Sequence, residues 1–430
     1  MAGKNADREA AFEMAASSIR FGAGVRREVG KDLADRGVRR ALVFADPNLA
    51  NQPQVTDILE SLDDEGVAYT VYDRVSIEPT EASFQDAIAF ANETEGEAFV
   101  AVGGGSTIDT AKAANLYSTY PADFLDYVNP PIGKGLPVPG ELKPLIAIPT
   151  TAGTGSETTG VAVFDFSALT AKTGIAHRRL KPTLGLIDPD NTKTLPREVA
   201  IATGLDVLSH AIESYTTIPY TDRPRPERPV LRPAYQGRNP ISDLWALESL
   251  RMVAEFLPRA AADAGDDEAR GQMLLAAAYA GIGFGNAGVH LPHGMSYPVS
   301  SRVREYDHPG YKAKKPLVPH GISVILNAPA VFRFTAPACP ERHLNAAGVL
   351  GAKTDGAQLD DAGTILSGRL IELMQELDVP SGLSAVGYSR ADIPDLVGGT
   401  MPQHRVTKLS PVPAGEDELA SLFEDALKYW

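Results

Sequence analysis

Asp206 and His210 lie four residues apart in the stretch GLDVLSHAIESYTT (204–217). On a helix those two positions share a face. Their neighbours Leu205, Val207, Leu208, Ala211 and Ile212 are apolar, so the spacing predicts a buried helix. A buried carboxylate is costly unless it is paired or coordinates a cation. Either a local Asp–His hydrogen bond or a metal site meets that need. Three further histidines bear on the choice: His290 and His293 in GNAGVHLPHGMSYPVSS, and His320 in PLVPHGISVIL. A lone core histidine ordinarily just makes hydrogen bonds. Several imidazoles beside an Asp-x-x-x-His favour a divalent cation. Asp plus three imidazoles suits Fe(II) or Zn(II), with a position left for a substrate oxygen.

A second constellation lies earlier. VAVGGGSTIDTAKAA reads as a strand, three glycines, a hydroxyl and a helix. Gly103, Gly104, Gly105 and Ser106 could cradle a pyrophosphate at the helix N-terminus. The spacing is not G-x-G-x-x-G, and a tight turn without ligand reads the same. Asp46 closes a preceding strand. It could accept hydrogen bonds from a ribose diol and would repel a 2′-phosphate, which favours NAD over NADP; a turn Asp before Pro47 is the plain alternative. The segment AIPTTAGTGSETT (147–159) adds Thr150, Thr151 and Thr154, which could line the same crevice.

These groups need a scaffold. Short strands ALVFAD (41–46), AYTVYD (68–73), AFVAVG (98–103), PLIAIPTT and TLGLIDP alternate with helical segments. Such alternation, with continuous apolar strands, predicts a parallel sheet covered on both faces. From about Pro196 the periodicity is helical instead. The fold expected is an α/β domain over 1–195 and an all-α domain over 196–430, without internal repeats. Two loops interrupt the helical half, 218–240 and 300–319. Both gather positive charge.

The chain has 430 residues, 43% of them hydrophobic, enough for two cores. A formal charge of -15 argues against nucleic acid as a partner. The single cysteine, Cys339, rules out an internal disulfide and a cysteine-based zinc site. No apolar run approaches the roughly 20 residues of a membrane helix. The opening segment lacks a secretory apolar core and carries Asp7, Glu9 and Glu13. A soluble cytoplasmic protein is the expectation.

Taken together and in order, GGGSTIDTAKA, AIPTTAGTGSETT, LIDP, GLDVLSHAIE, HGMSYP and PHG resemble the iron-containing (group III) alcohol dehydrogenases. The resemblance implies a dehydroquinate synthase-like fold with an interdomain site. It implies Asp206, His210, His293 and His320 as metal ligands, with His290 a neighbour that could exchange roles with His293. It also adds Asp109 and Leu186 to the NAD-binding set. Many members place a second histidine where this chain has Tyr297, so a phenol replaces an imidazole near the nicotinamide. Tyr297 and His290 are the catalytic candidates. Within the family, SSIRFGAGV, DFLDYVNPPIGKG, RPAYQGRNPISD and QHRVTKLSPVP look like the hydroxyacid-oxoacid transhydrogenase branch.

That branch implies hydride transfer from 4-hydroxybutyrate to 2-oxoglutarate through bound NAD. The products are succinate semialdehyde and 2-hydroxyglutarate. An NAD-dependent alcohol dehydrogenase that releases its cofactor each turnover is the alternative, and a non-redox lyase on the same fold a further one. The resemblance also implies a homo-oligomer and, for a eukaryotic source, the mitochondrial matrix after loss of a transit peptide. The substrates carry carboxylates, for which Arg is the natural partner. Candidates are Arg178 and Lys181, Arg302 and Lys312, and the arginines of 223–238, at least one of which is expected to face the cleft. Each is otherwise a solvated loop charge.

Overall fold

The computed structural model describes residues 8–166, 171–311 and 315–430; Lys312 lies outside the described residues. The strands are β1 (Ser18–Phe21), β2 (Arg40–Ala45), β3 (Ala68–Tyr72), β4 (Ala98–Gly103), β5 (Leu145–Pro149), β6 (Val161–Phe166), β7 (Ala171–Ala176) and β8 (Leu184–Ile187). Six of them form one sheet in the order β1-β8-β5-β4-β2-β3, with every pairing parallel. β6 and β7 form a separate antiparallel hairpin.

Crossovers α1 (Val29–Asp35), α2 (Pro53–Asp64), α3 (Glu81–Thr94) and α4 (Gly105–Thr119) cover both faces, and α5 (Phe124–Tyr127) is a single turn. Alternation along the strands decides which helix each residue meets. Val43, Val100 and Val102 join Val29, Leu33, Ile58 and Leu62 of α1 and α2. Leu42, Phe44 and Phe99 join Ala87, Ile108 and Ala111 of α3 and α4. Burial on both sides explains why the central strands read as unbroken apolar runs. The chain steps from β2 outward to β3, then returns to β4 on the other side of β2. That reversal opens a crevice at the carboxyl ends of β2 and β4, where open α/β sheets bind ligands.

After β8 the chain is helical: α6 (Arg197–Thr216), α7 (Pro240–Ala262), α8 (Asp267–Ala287), α9 (Leu291–Ser301), α10 (His320–Ile325), α11 (Ala328–Thr335), α12 (Pro340–Val349), α13 (Ala362–Glu376), α14 (Ile393–Thr400), α15 (His404–Thr407) and α16 (Glu416–Asp425). One apolar core runs through these helices. α6 is buried on nearly every side, and the polar side chains it takes inside include Asp206, His210 and Glu213. The segment before β1 crosses to this half. Glu9 N–H donates to Arg223 O at 2.9 Å, and Ala15 N–H donates to Asn286 Oδ1 at 3.0 Å. No single helix among the described residues is long and apolar enough to cross a membrane. The apolar pair α8 and α9 is bent by 107° and lies in the core.

Candidate metal and nucleotide site

α6 carries Asp206, His210 and Glu213 at i, i+4 and i+7, one stripe on one face. Facing it are the start of α9, with His290 and His293, and the first residue of α10, His320. The glycine after His320 has a physical cause. A Cβ on Gly321 would stand 1.9 Å from the Ala202 carbonyl oxygen of α6. Only glycine lets α10 come that close, and the approach brings His320 to Asp206.

Three imidazoles converge on one oxygen of Asp206. Asp206 Oδ1 lies 3.4 Å from His293 Nε2, 3.7 Å from His210 Nε2 and 3.8 Å from His320 Nε2. Asp206, His293 and His320 each place a donor atom within 4.8 Å of the others. His210 adjoins this trio, its ring stacked between Phe284 at 3.9 Å and His293 at 4.6 Å. Asp206 Oδ1 and His293 Nε2 are both buried without a hydrogen-bond partner. Orphaned buried polar atoms are rare and call for a cause. A carboxylate with imidazoles aimed at a common point suits a divalent transition metal, so the residues present fit such an ion.

The charges of the cluster act on one another in both directions. Burial opposes the Asp206 charge, but the imidazoles of His210, His320 and His293 outweigh it and hold the carboxyl well below its usual range. Burial pushes His210 down to about 3, so its ring is neutral and can ligate. Burial also works against a charged His293, yet Glu213 and Asp206 on its two sides raise it to about 10.

Glu213 is the site residue that sequence reasoning missed. Its Oε1 lies 2.5 Å from His293 Nδ1, and its Oε2 accepts the His290 N–H at 2.6 Å. The available signal was its place at i+7 from Asp206, on the same stripe as His210. His290 lies behind this carboxylate. It is buried, with Nε2 3.0 Å from Thr216 Oγ1, and burial lowers it to about 4. Hence His293 and not His290 faces Asp206.

Two cavities meet at the cluster. One, of about 390 Å³, is bordered by Asp46, Gly104, Thr150 and Thr151; the other, of about 130 Å³, by His293, Tyr297, Tyr235 and Arg405. Gly105, Ser106, Thr154, Asp206 and His320 belong to the wall of both. α4 begins at Gly105 with no side-chain cap; the Thr107 and Ile108 N–H groups donate to Gly104 O, and the Gly105 and Ser106 N–H groups are those left for a ligand among the described residues. The glycines also serve packing: a Cβ on Gly105 would stand 2.6 Å from Thr154 Cγ2, and one on Gly103 2.3 Å from Thr107 Oγ1. Asp46 borders the crevice and holds its own turn, accepting Asn48 N–H at 2.8 Å.

Asp109 faces the smaller cavity while tying α4 to its neighbours. Its Oδ1 accepts from Ser156 Oγ at 2.5 Å and its Oδ2 from Val163 N–H at 2.9 Å. Leu186 is wholly buried inside the sheet and borders neither cavity.

The arginines expected to bind substrate lie elsewhere. Arg178 pairs with Glu13 and donates to Arg232 O at 3.1 Å. Lys181, with Arg178, lines a separate cavity. Arg302 stands 3.9 Å from Asp395. The 218–240 loop sends Tyr235, and none of its arginines, to the smaller cavity. Arg232 is held instead by Glu9 at 2.8 Å.

Residues 16–189 match the family model for iron-containing alcohol dehydrogenase, and residues 234–427 match that for the Fe-containing alcohol dehydrogenase family, C-terminal. The chain belongs to the iron-containing alcohol dehydrogenase family. It is accordingly an oxidoreductase acting on CH–OH groups. A curated relative, the mitochondrial hydroxyacid-oxoacid transhydrogenase of Bos taurus, is 57% identical over 422 residues, covering 98% of this chain and 91% of the relative. The crystal structure of a 1,3-propanediol oxidoreductase superposes with a TM-score of 0.84 at 25% identity, over 97% of this chain and 100% of that one. A sulfoacetaldehyde reductase from Bifidobacterium kashiwanohense, solved in complex with NAD+, gives 0.79 at 25% identity, over 97% and 99%. The α/β half followed by a helical half is thus the family's fold.

Proposed function

We propose that this protein is a hydroxyacid-oxoacid transhydrogenase. It oxidises 4-hydroxybutyrate to succinate semialdehyde and reduces 2-oxoglutarate to 2-hydroxyglutarate. Likeness along almost the whole chain to proteins named for that reaction carries the choice. The wall shared by the two cavities supports hydride transfer, because it puts the donor cluster beside the nucleotide crevice.

Iron, with zinc as the alternative, would supply Lewis-acid polarisation of the substrate oxygen, and NAD would supply the hydride acceptor and donor. Asp206, His210, His293 and His320 would hold the ion. Glu213 orients His293 through Nδ1, the usual role of a carboxylate behind a metal-ligating imidazole. His290 supports that carboxylate through its backbone N–H. Gly103 to Ser106 and the start of α4 receive the pyrophosphate; Asp46 receives the ribose diol; Thr150, Thr151 and Thr154 line the path between. Tyr297 stacks on His320, ring centroids 6.2 Å apart, and presents its phenol at the edge of the substrate space. We place one domain over 1–195 and another over 196–430, with the reaction between them. The proposed location is the cytoplasm, or the mitochondrial matrix in a eukaryote.

The test is transfer without free cofactor. Metal-loaded protein is freed of unbound NAD by gel filtration and given 4-hydroxybutyrate with 2-oxoglutarate. Many equivalents of 2-hydroxyglutarate per chain support the reading. Turnover that needs added NAD favours the alcohol dehydrogenase that releases its cofactor. Absence of transfer under both conditions rejects both.

A further inference from the structure

Apart from the histidines of the cluster, the basic side chains bordering the small cavity are Lys172 and Arg405. Lys172 is already matched: its Nζ lies 3.1 Å from Asp165 Oδ1 and also contacts the Glu78 carboxylate. Arg405 differs. Its Nη2 donates to Tyr297 Oη at 2.9 Å, and its guanidinium carbon lies 5.1 Å over the Tyr235 ring. Nη1 is buried without a hydrogen-bond partner, and among the described residues no carboxylate pairs with this side chain. A guanidinium left unmatched in a cavity is costly, and its planar fork fits a carboxylate.

The position matters as much as the charge. Tyr297, which receives Arg405, also stacks on His320 of the donor cluster. A substrate with its reacting oxygen at the cluster therefore extends toward Arg405 along one tyrosine. Val161, Val163, Phe284 and Val289 border the same cavity and suit methylenes.

We propose that Arg405 is the specificity-determining anchor for a carboxylate two methylenes away from the reacting carbon. This deepens, and rests on, the transhydrogenase reading. 4-Hydroxybutyrate reacts at its terminal carbinol and carries its carboxylate beyond two methylenes. 2-Oxoglutarate reacts at its keto carbon and carries its distal carboxylate beyond two methylenes as well. One anchor serves both half-reactions, so donor and acceptor occupy the same track in turn.

The experiment compares wild type, R405K and R405M, each loaded with metal and NAD. kcat/KM is measured for 4-hydroxybutyrate against 1,4-butanediol, and for 2-oxoglutarate against 2-oxopentanoate. Glutarate binding, measured by calorimetry, reports on the anchor without turnover. In R405M the loss for the acid should exceed the loss for its neutral counterpart by about 30-fold or more, and glutarate binding should weaken by a similar factor. R405K keeps the charge without the fork and should lie between, with the change mainly in KM. Equal losses for acid and neutral partner, with glutarate binding unaltered, overturn the assignment. Wild type that binds glutarate but moves no hydride between the two acids overturns the reaction and leaves the anchor standing.

Discussion

Glu213 and His293 meet at 2.5 Å, the carboxylate on Nδ1 of the imidazole whose Nε2 turns to Asp206. The two carboxylates stand seven residues apart on one helix and grip opposite edges of one ring. The contact fixes which nitrogen is offered to an ion and in what direction.

Replacing Glu213 by Gln should therefore weaken the metal and spare the fold. The amide retains an acceptor for the His290 N–H but loses the charge behind His293. Iron affinity should fall about 10- to 100-fold, the usual effect of losing such a partner. Chelator competition followed by metal analysis measures it. Unchanged metal retention in a chain of unchanged melting temperature would refute the role.

Asp46 should govern the choice between NADH and NADPH. Asp46→Asn keeps an acceptor for Asn48 N–H and removes the charge that repels a 2′-phosphate. The affinity ratio should shift toward NADPH by about 10-fold, one charge contact in a partly exposed crevice. Fluorescence titration of both reduced cofactors tests it. A ratio that stays put removes Asp46 from the cofactor site.

Glu157 gives a stability prediction with a defined sign. It is buried, one carboxylate oxygen has no partner, and burial raises it to about 7, above the 4.5 of the free side chain. The folded state therefore holds a proton that the unfolded chain releases, so stability is present in full below 4.5 and lost as pH rises through 7. Glu157→Gln mimics the protonated form. It should outlast wild type above pH 7 by on the order of 3 kcal/mol, with the gap closing toward pH 4.5. Melting curves at several pH values check this. A constant gap across the range contradicts it.

Much of this architecture could be read from local pattern. The apolar runs of β2, β4, β5 and β8, and the 3.6 periodicity after Pro196, are short-range properties that burial imposes on neighbouring residues. β1 and the β6–β7 hairpin escaped because an edge strand and a small ribbon bury too little to leave a clear alternation. Asp206 and His210 were visible for the same reason as the helices, since four residues of spacing is one turn. His290, His293 and His320 stood out as further imidazoles, and the family resemblance, resting on ordered motifs, singled out His293 and His320 from them as ligands.

Charge partners obey no such local rule. Arg178, Arg302 and Arg405 are indistinguishable as residues, for the chain encodes a side chain's type but not which carboxylate will reach it. Packing brought Glu13 to Arg178, drew Arg232 to Glu9, and left Arg405, far along the chain from Asp206, facing the cavity beside it. Glu213 was concealed likewise: a polar residue near the end of a helix is ordinary until α9 folds across it. Residue type and near-neighbour spacing thus determine the elements and the donor chemistry. Long-range contact alone determines which donors converge and which charge is left free for a substrate.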